Sequence, residues 1–83
     1  MIVTIREILR VEFIRETDNG YKFIVFKCLR DDSSIACTTL LKWIELGKEY
    51  YNLEFKYSEV LKKGNFVTNK YLVHCIEKEK SNW

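Results

Sequence analysis

Proline is absent from this 83-residue chain, glycine occurs three times, and no apolar run is long enough for a membrane helix. A helical span needs about 18 to 20 consecutive apolar residues, and here charged residues make up 31% of the composition and break up the hydrophobic stretches. Without a Pro- or Gly-rich segment there is no sign of a linker, and a chain of 83 residues reads as one domain, residues 1–83, because cores rarely divide below about 100 residues. The glycines sit singly at turns or segment ends, so no phosphate-cradling loop is present. Cysteine is scarce and odd in number: Cys28, Cys37 and Cys75 have no paired spacing. That argues against a disulfide-stapled secreted fold and for reduced thiols acting as small core fillers. The segment MIVTIREILR carries charges where a signal peptide would be apolar, so a cytoplasmic protein is expected.

What the chain does have is apolar material, 47% hydrophobic and 14% aromatic residues, in a composition that is globular rather than disordered. A domain of this size buries only about 60% of its unfolded surface, so few of those groups can be spared from packing. Net charge is +2, but its distribution is uneven. Residues 1–41 hold six basic and six acidic side chains, whereas Lys62, Lys63 and Lys70 lie between Val60 and Ile76 with no carboxylate among them.

The dominant periodicity is two. Val3, Ile5, Leu9, Val11 and Phe13 alternate with Thr4, Arg6, Arg10 and Glu12, with Glu7 and Ile8 out of phase. This predicts one long strand with a kink near Glu7; helical spacing of Ile5, Ile8 and Leu9 competes, and the β-branched content favours the strand. Asp18-Asn19-Gly20 is a tight-turn signal. "YKFIVFKCL" is a second strand, apolar on both faces, followed by an "RDDSS" turn and a third strand, "IACTTLL". Leu41 to Leu46, ahead of Gly47, predicts one or two helical turns. In "EYYNLEFKY" the set Tyr51, Leu53, Phe55 and Tyr57 alternates with Tyr50, Asn52, Glu54 and Lys56, which assigns the first set to the core and leaves Tyr50 outside with Lys56. A turn at "LKKGNF", with positive φ expected at Gly64 and Asn65, leads to a last strand, "VTNKYLVHCIE". "EKEKSNW" reads as a frayed tail.

Three hairpin-linked strands, a crossing segment and a closing hairpin form a five-stranded Greek-key barrel, all-β, with a short helical turn between the third and fourth strands. Barrel closure also removes exposed edges. That order, with the glycine in "ELGKEYYNLEF" and the charged hairpin "EVLKKGNFV", resembles the oligonucleotide/oligosaccharide-binding (OB) fold, and within it the small single-stranded-DNA-binding proteins of phages or mobile elements. The resemblance implies a binding surface across Tyr21 to Leu29 and Ile35 to Leu41, flanked by the loops Arg15 to Gly20 and Leu61 to Phe66. The short, mixed-charge tail departs from the acidic, hydrophobic tail of bacterial single-strand binders.

The second strand is the stacking candidate. One side carries Tyr21, Phe23, Val25 and Lys27 and the other Lys22, Ile24, Phe26 and Cys28, and alternation does not say which faces out. A base stacked on an exposed ring contributes about 1–3 kcal/mol whatever its identity. A partner subunit or the N-terminal strand covering that face is the competing reading. Lys62 and Lys63 are either phosphate contacts or a solubilising turn; with Lys70 they would give a single-strand salt slope of about −2. The nucleic-acid-binding set is therefore Tyr21, Lys22, Phe23, Lys27, Lys62, Lys63 and Lys70, with Phe26, Tyr50 and Lys56 in reserve. The ligand expected is single-stranded nucleic acid, DNA ahead of RNA. One barrel covers few nucleotides, so self-association is expected, with Trp43 or Trp83 as anchor. The alternative is a protein-interaction module. His74 and Cys75 are adjacent in a strand and point to opposite faces, so a shared metal is not expected; no cofactor and no catalytic set is read from the sequence.

Overall fold

The computed structural model describes residues 2–79. The strands are β1 (Ile2–Ile5), β2 (Leu9–Glu16), β3 (Lys22–Cys28), β4 (Ser34–Thr39), β5 (Glu49–Lys62) and β6 (Asn65–Glu77). β2–β3, β3–β4 and β5–β6 pair as antiparallel hairpins. β5 returns to β2 through Leu9↔Tyr50 and Arg10↔Glu49, while β6 meets β4 in parallel through Thr38↔Tyr71 and Thr39↔Leu72. Strands β2–β3–β4–β6–β5 thus close a ring, and β1 is an edge strand on β5. No described helix is long and apolar enough to cross a membrane. The tail beyond Glu79, with Trp83, lies outside the described residues.

Two features of the expected architecture are corrected. The N-terminal strand is two strands, making six rather than five among the described residues. It breaks where Glu7 is held sideways: its carboxylate accepts the Cys28 thiol proton (3.0 Å) and pairs with Arg30 (2.7 Å). That bond to the carboxylate also pushes the Cys28 thiol pKa up. Residues 41–46 are turns rather than helix, because neighbouring backbone groups are committed elsewhere. Glu45 N donates to the Tyr50 hydroxyl (2.9 Å), Gly47 N donates to Val11 O (2.9 Å), and Val11 N donates to Lys48 O (3.0 Å). Ile44, from this segment, is buried in the core, 1% exposed.

The core is Leu9, Val11, Ile24, Phe26, Cys28, Cys37, Ile44, Tyr50, Leu53, Phe55, Leu72 and Cys75. Tyr50 and Phe26, both held in reserve as surface rings, are therefore core residues, edge-to-face at 6.5 Å. Tyr50 turns inward because Asn52 adopts a left-handed conformation (φ 51°) and breaks the alternation, so Tyr50 and Leu53 are both buried. Asn tolerates that region better than most residues. A second irregularity lies between Val11 and Phe13 in the β2–β3 ladder. It sends Val11 in and Phe13 out, against the alternation expected from the sequence.

The turns follow side-chain chemistry. Thr17 N donates to Tyr21 O (2.8 Å) and Gly20 N to Thr17 O (3.3 Å). Asp31 accepts both the backbone N–H and the hydroxyl of Ser33 (3.0 and 2.7 Å), bonds that lower its pKa. In the β5–β6 turn positive φ falls on Lys63 (50°) and Gly64 (81°), one residue earlier than expected; the pair forms a two-residue turn with the sign of a type I′ hairpin.

Thr39 is the buried polar member of the core. Its hydroxyl donates to Leu72 O (2.7 Å) and accepts from Leu41 N (3.1 Å). Thr39→Val keeps the shape and removes both bonds, which should destabilise by about 1–3 kcal/mol, a fall of at least about 4 °C in Tm for a domain of this size. Thermal unfolding followed by circular dichroism measures it; an unchanged Tm contradicts the assignment.

Burial pushes the Cys37 and Cys75 thiols up to about 12. In the unfolded chain they ionise near their ordinary value of about 8.5, so the unfolded state loses protons first. Their contribution to stability is whole below that value and is lost as pH rises toward about 12, at up to about 1.4 kcal/mol per pH unit for each thiol. Denaturation midpoints should fall on raising pH above about 9. Cys37→Ala with Cys75→Ala should flatten that fall; an equal slope in the variant refutes the attribution.

Candidate functional site on the outer face

The register decides which side of β3 faces outward. Ile24, Phe26 and Cys28 are buried, so Phe23, Val25 and Lys27 lie on the outer face of the ring. Residues paired across a ladder share a face, which allows that face to be traced strand by strand. Arg15↔Phe23, Phe23↔Thr38, Thr38↔Tyr71 and Tyr71↔Lys56 form one lateral row crossing β2, β3, β4, β6 and β5. Beside it, Phe13↔Val25↔Ala36 forms a second row. Tyr21 lies at the other margin, in a shallow groove with Leu40, Lys56, Ser58, Tyr71 and Val73.

This face carries rings that the core does not absorb. Phe13 is 47% exposed and meets Phe23 edge-on, centroids 6.4 Å apart. The Arg15 guanidinium lies over the Phe23 ring at 5.5 Å. Tyr21 and Tyr71 are tilted against one another at 5.9 Å, and the Tyr71 hydroxyl accepts from Asn69 Nδ2 (3.3 Å). Four rings therefore line the outer surface.

The cations around them are unequal. Among the described residues Arg15 and Lys56 make no ion pair, whereas Arg10 pairs with Glu12 (3.2 Å) and Lys27 with Asp32 (3.5 Å). Both pairs are solvent-exposed, the kind that contributes at most about 1 kcal/mol and exchanges readily for another anion. No acidic residue belongs to the row from Arg15 to Lys56.

Of the residues selected from the sequence, Tyr21, Phe23 and Lys27 belong to this face. Lys22 does not: it is on the side of Ile24, and its ammonium donates to Lys42 O at the rim (3.0 Å). Lys70 is partly buried, with its ammonium 5.5 Å from both the Phe55 and Tyr57 ring centroids. Lys62 and Lys63 are exposed at the tip of the β5–β6 hairpin, about 20 Å along the ribbon from the row at about 3.3 Å per residue. Lys56, a reserve, is in the row itself. Phe13, Arg15 and Tyr71 were missed. Ile14, immediately after Phe13, was the available signal for the first, since a bulge lets consecutive apolar residues take opposite faces.

Other chemistry has less to build on. All three cysteines are buried and free. His74 is exposed while Cys75 is buried, so the neighbours do point apart. Among the described residues no group of His, Cys, Asp and Glu is arranged to hold a metal ion.

No protein-family model, curated protein or solved structure matches the chain.

Proposed function

We propose that this protein binds single-stranded nucleic acid, DNA ahead of RNA, with little sequence preference. Bases lie on the rings of the outer face, and Arg15, Lys27 and Lys56 meet the phosphates. The observation that carries the reading is the uninterrupted row from Arg15 through Phe23, Thr38 and Tyr71 to Lys56, flanked by Phe13 and Tyr21. Rings with a cation at each end of the row suit a ligand that is flat, repetitive and anionic. Stacking needs only a π face, which every base supplies, so low sequence preference follows. The reading as an OB-like barrel is supported by connectivity: three hairpin-linked strands, a crossing segment, and a hairpin whose two arms close on the first and third ring strands. The tip lysines Lys62 and Lys63 would then touch only a strand long enough to leave the platform.

Titration of a labelled oligo-dT by fluorescence anisotropy tests the proposal. Phe13→Ala and Phe23→Ala should each weaken binding by about 1–3 kcal/mol, roughly five- to 150-fold, with Tm little changed for Phe13, which is 47% exposed, and lowered for half-buried Phe23. Three phosphate contacts should give a slope of log affinity against log salt near −2; Arg15→Gln should make it shallower by about 0.7. Absence of binding at low salt, or wild-type affinity in the double Phe variant, overturns the reading. The first of these, together with capture of a specific protein partner, would favour an interaction module.

A further inference from the structure

On the tip side of Tyr71 the β5–β6 hairpin leaves the ring and continues as a two-stranded arm. β1 accompanies β5 only as far as Lys56, and β4 meets β6 only at Tyr71 and Leu72. Six pairs, from Tyr57↔Lys70 to Lys62↔Asn65, therefore have no third strand beside them among the described residues. Between β4 and the arm lies a hollow of about 390 Å³, within the range of roughly 300–1,000 Å³ usual for ligand sites. One wall belongs to the outer face of the ring and includes Phe23 and Thr38, both members of the lateral row. The other wall is the arm, where Tyr57, Thr68 and Lys70 share a face with buried Phe55. The hollow thus opens beside the platform without being part of its row.

Among the described residues Lys70 is the one cation lining this hollow, and no carboxylate lines it. Its ammonium is partly buried and lies 5.5 Å from both the Phe55 and Tyr57 ring centroids. Rings attract a cation, but they do not satisfy its three N–H donors. Among the described residues Lys70 makes no ion pair and its ammonium donates no hydrogen bond. Lys48 and Lys78, which line another hollow, are by contrast paired with Glu45, Glu77 and Glu49. A partly buried cation with unused donors favours an anion. The Thr38 hydroxyl reaches Lys70 O only loosely (3.4 Å) and Thr68 is exposed, so two hydroxyls are free to turn toward the same group. We propose that the hollow binds the phosphate monoester of a nucleotide, with Lys70 as its charge partner and Thr38 and Thr68 as hydrogen-bond donors. That the ester is a nucleotide rests on the platform reading, because Phe23 belongs to both the row and the hollow. A monoester fits better than a phosphate inside a strand. It bears about 1.5 to 2 negative charges near neutral pH against one for each backbone phosphate, and it offers three terminal oxygens to the three donors of the ammonium. It also ends the chain, whereas an internal phosphate would have to carry a further nucleoside onward past the arm. The ester belongs either to the end of a strand or to a free mononucleotide.

Titrating the wild type with thymidine monophosphate and with thymidine, followed by amide chemical shifts in NMR, tests the proposal without a strand or a variant. The monophosphate should bind about tenfold or more tightly than thymidine, with shifts centred on Thr38, Thr68 and Lys70, and inorganic phosphate should compete with it. Tetra-dT carrying a phosphate at its 5′ or 3′ end, compared with the form carrying none, separates the sources. A strand end as ligand predicts a similar gain in affinity and a salt slope steeper by about 0.7; a free mononucleotide predicts the first preference without the second. Lys70→Met keeps an aliphatic stem against Phe55 and Tyr57 and should bring each ratio to about one, whereas Lys70→Arg should retain it. Thymidine bound as tightly as its monophosphate, no binding of the monophosphate, or a preference undiminished in a folded Lys70→Met variant each overturns the proposal. Preference for the monophosphate in a protein that ignores unphosphorylated oligo-dT keeps the hollow and removes the platform. Oligo-dT binding without that preference does the reverse.

Discussion

The ring is closed by a contact two residue pairs long. β4 and β6 run parallel, and they meet at Thr38↔Tyr71 and Thr39↔Leu72. A ladder so short supplies few main-chain bonds, and parallel pairing is slightly weaker per residue than antiparallel. Side chains reinforce it. Thr39 Oγ1 donates to Leu72 O in the core, and Thr38 Oγ1 reaches Lys70 O, more loosely, on the outside. The lateral row across the outer face is completed by this seam. Without it Tyr71 and Lys56 would be tied to the other strands only through the β2–β5 contact at Leu9 and Arg10, and Phe23 would have rings and charges on one flank only. The same seam ends at Tyr71, and its end is what leaves the arm without a third strand.

Two departures from strict alternation then decide which rings are core and which are surface. In β5, Asn52 in the left-handed region turns Tyr50 inward to pack on Phe26 and to accept the Glu45 N–H. In β2, the shift after Val11 turns Phe13 outward against Phe23. Since the side-chain period is two, one extra residue inverts every position beyond it. A pattern-based reading therefore exchanges a buried ring for an exposed one at each bulge, and that is what happened at Tyr50 and Phe13.

Much of the fold was nonetheless legible. The turns at Asp18-Asn19-Gly20, Asp31 to Ser33 and around Gly64 announce themselves by residues that bond their own backbone or accept positive φ, although in the last of these Lys63 rather than Asn65 shares the positive φ. The strands around them carry β-branched and aromatic residues at period two. What was not legible depends on distant partners. Glu7 breaks the first strand because Cys28 and Arg30 happen to lie across from it, and residues 41–46 forgo a helix because Val11 and Tyr50 claim neighbouring backbone groups. The candidate site was half visible for the same reason. Phe23 and Lys27 could be placed on one side of a strand from local sequence, whereas Tyr71 and Lys56 join them only through ring closure. Lys22, Lys62 and Lys63 were chosen for charge, which carries no information about face or distance.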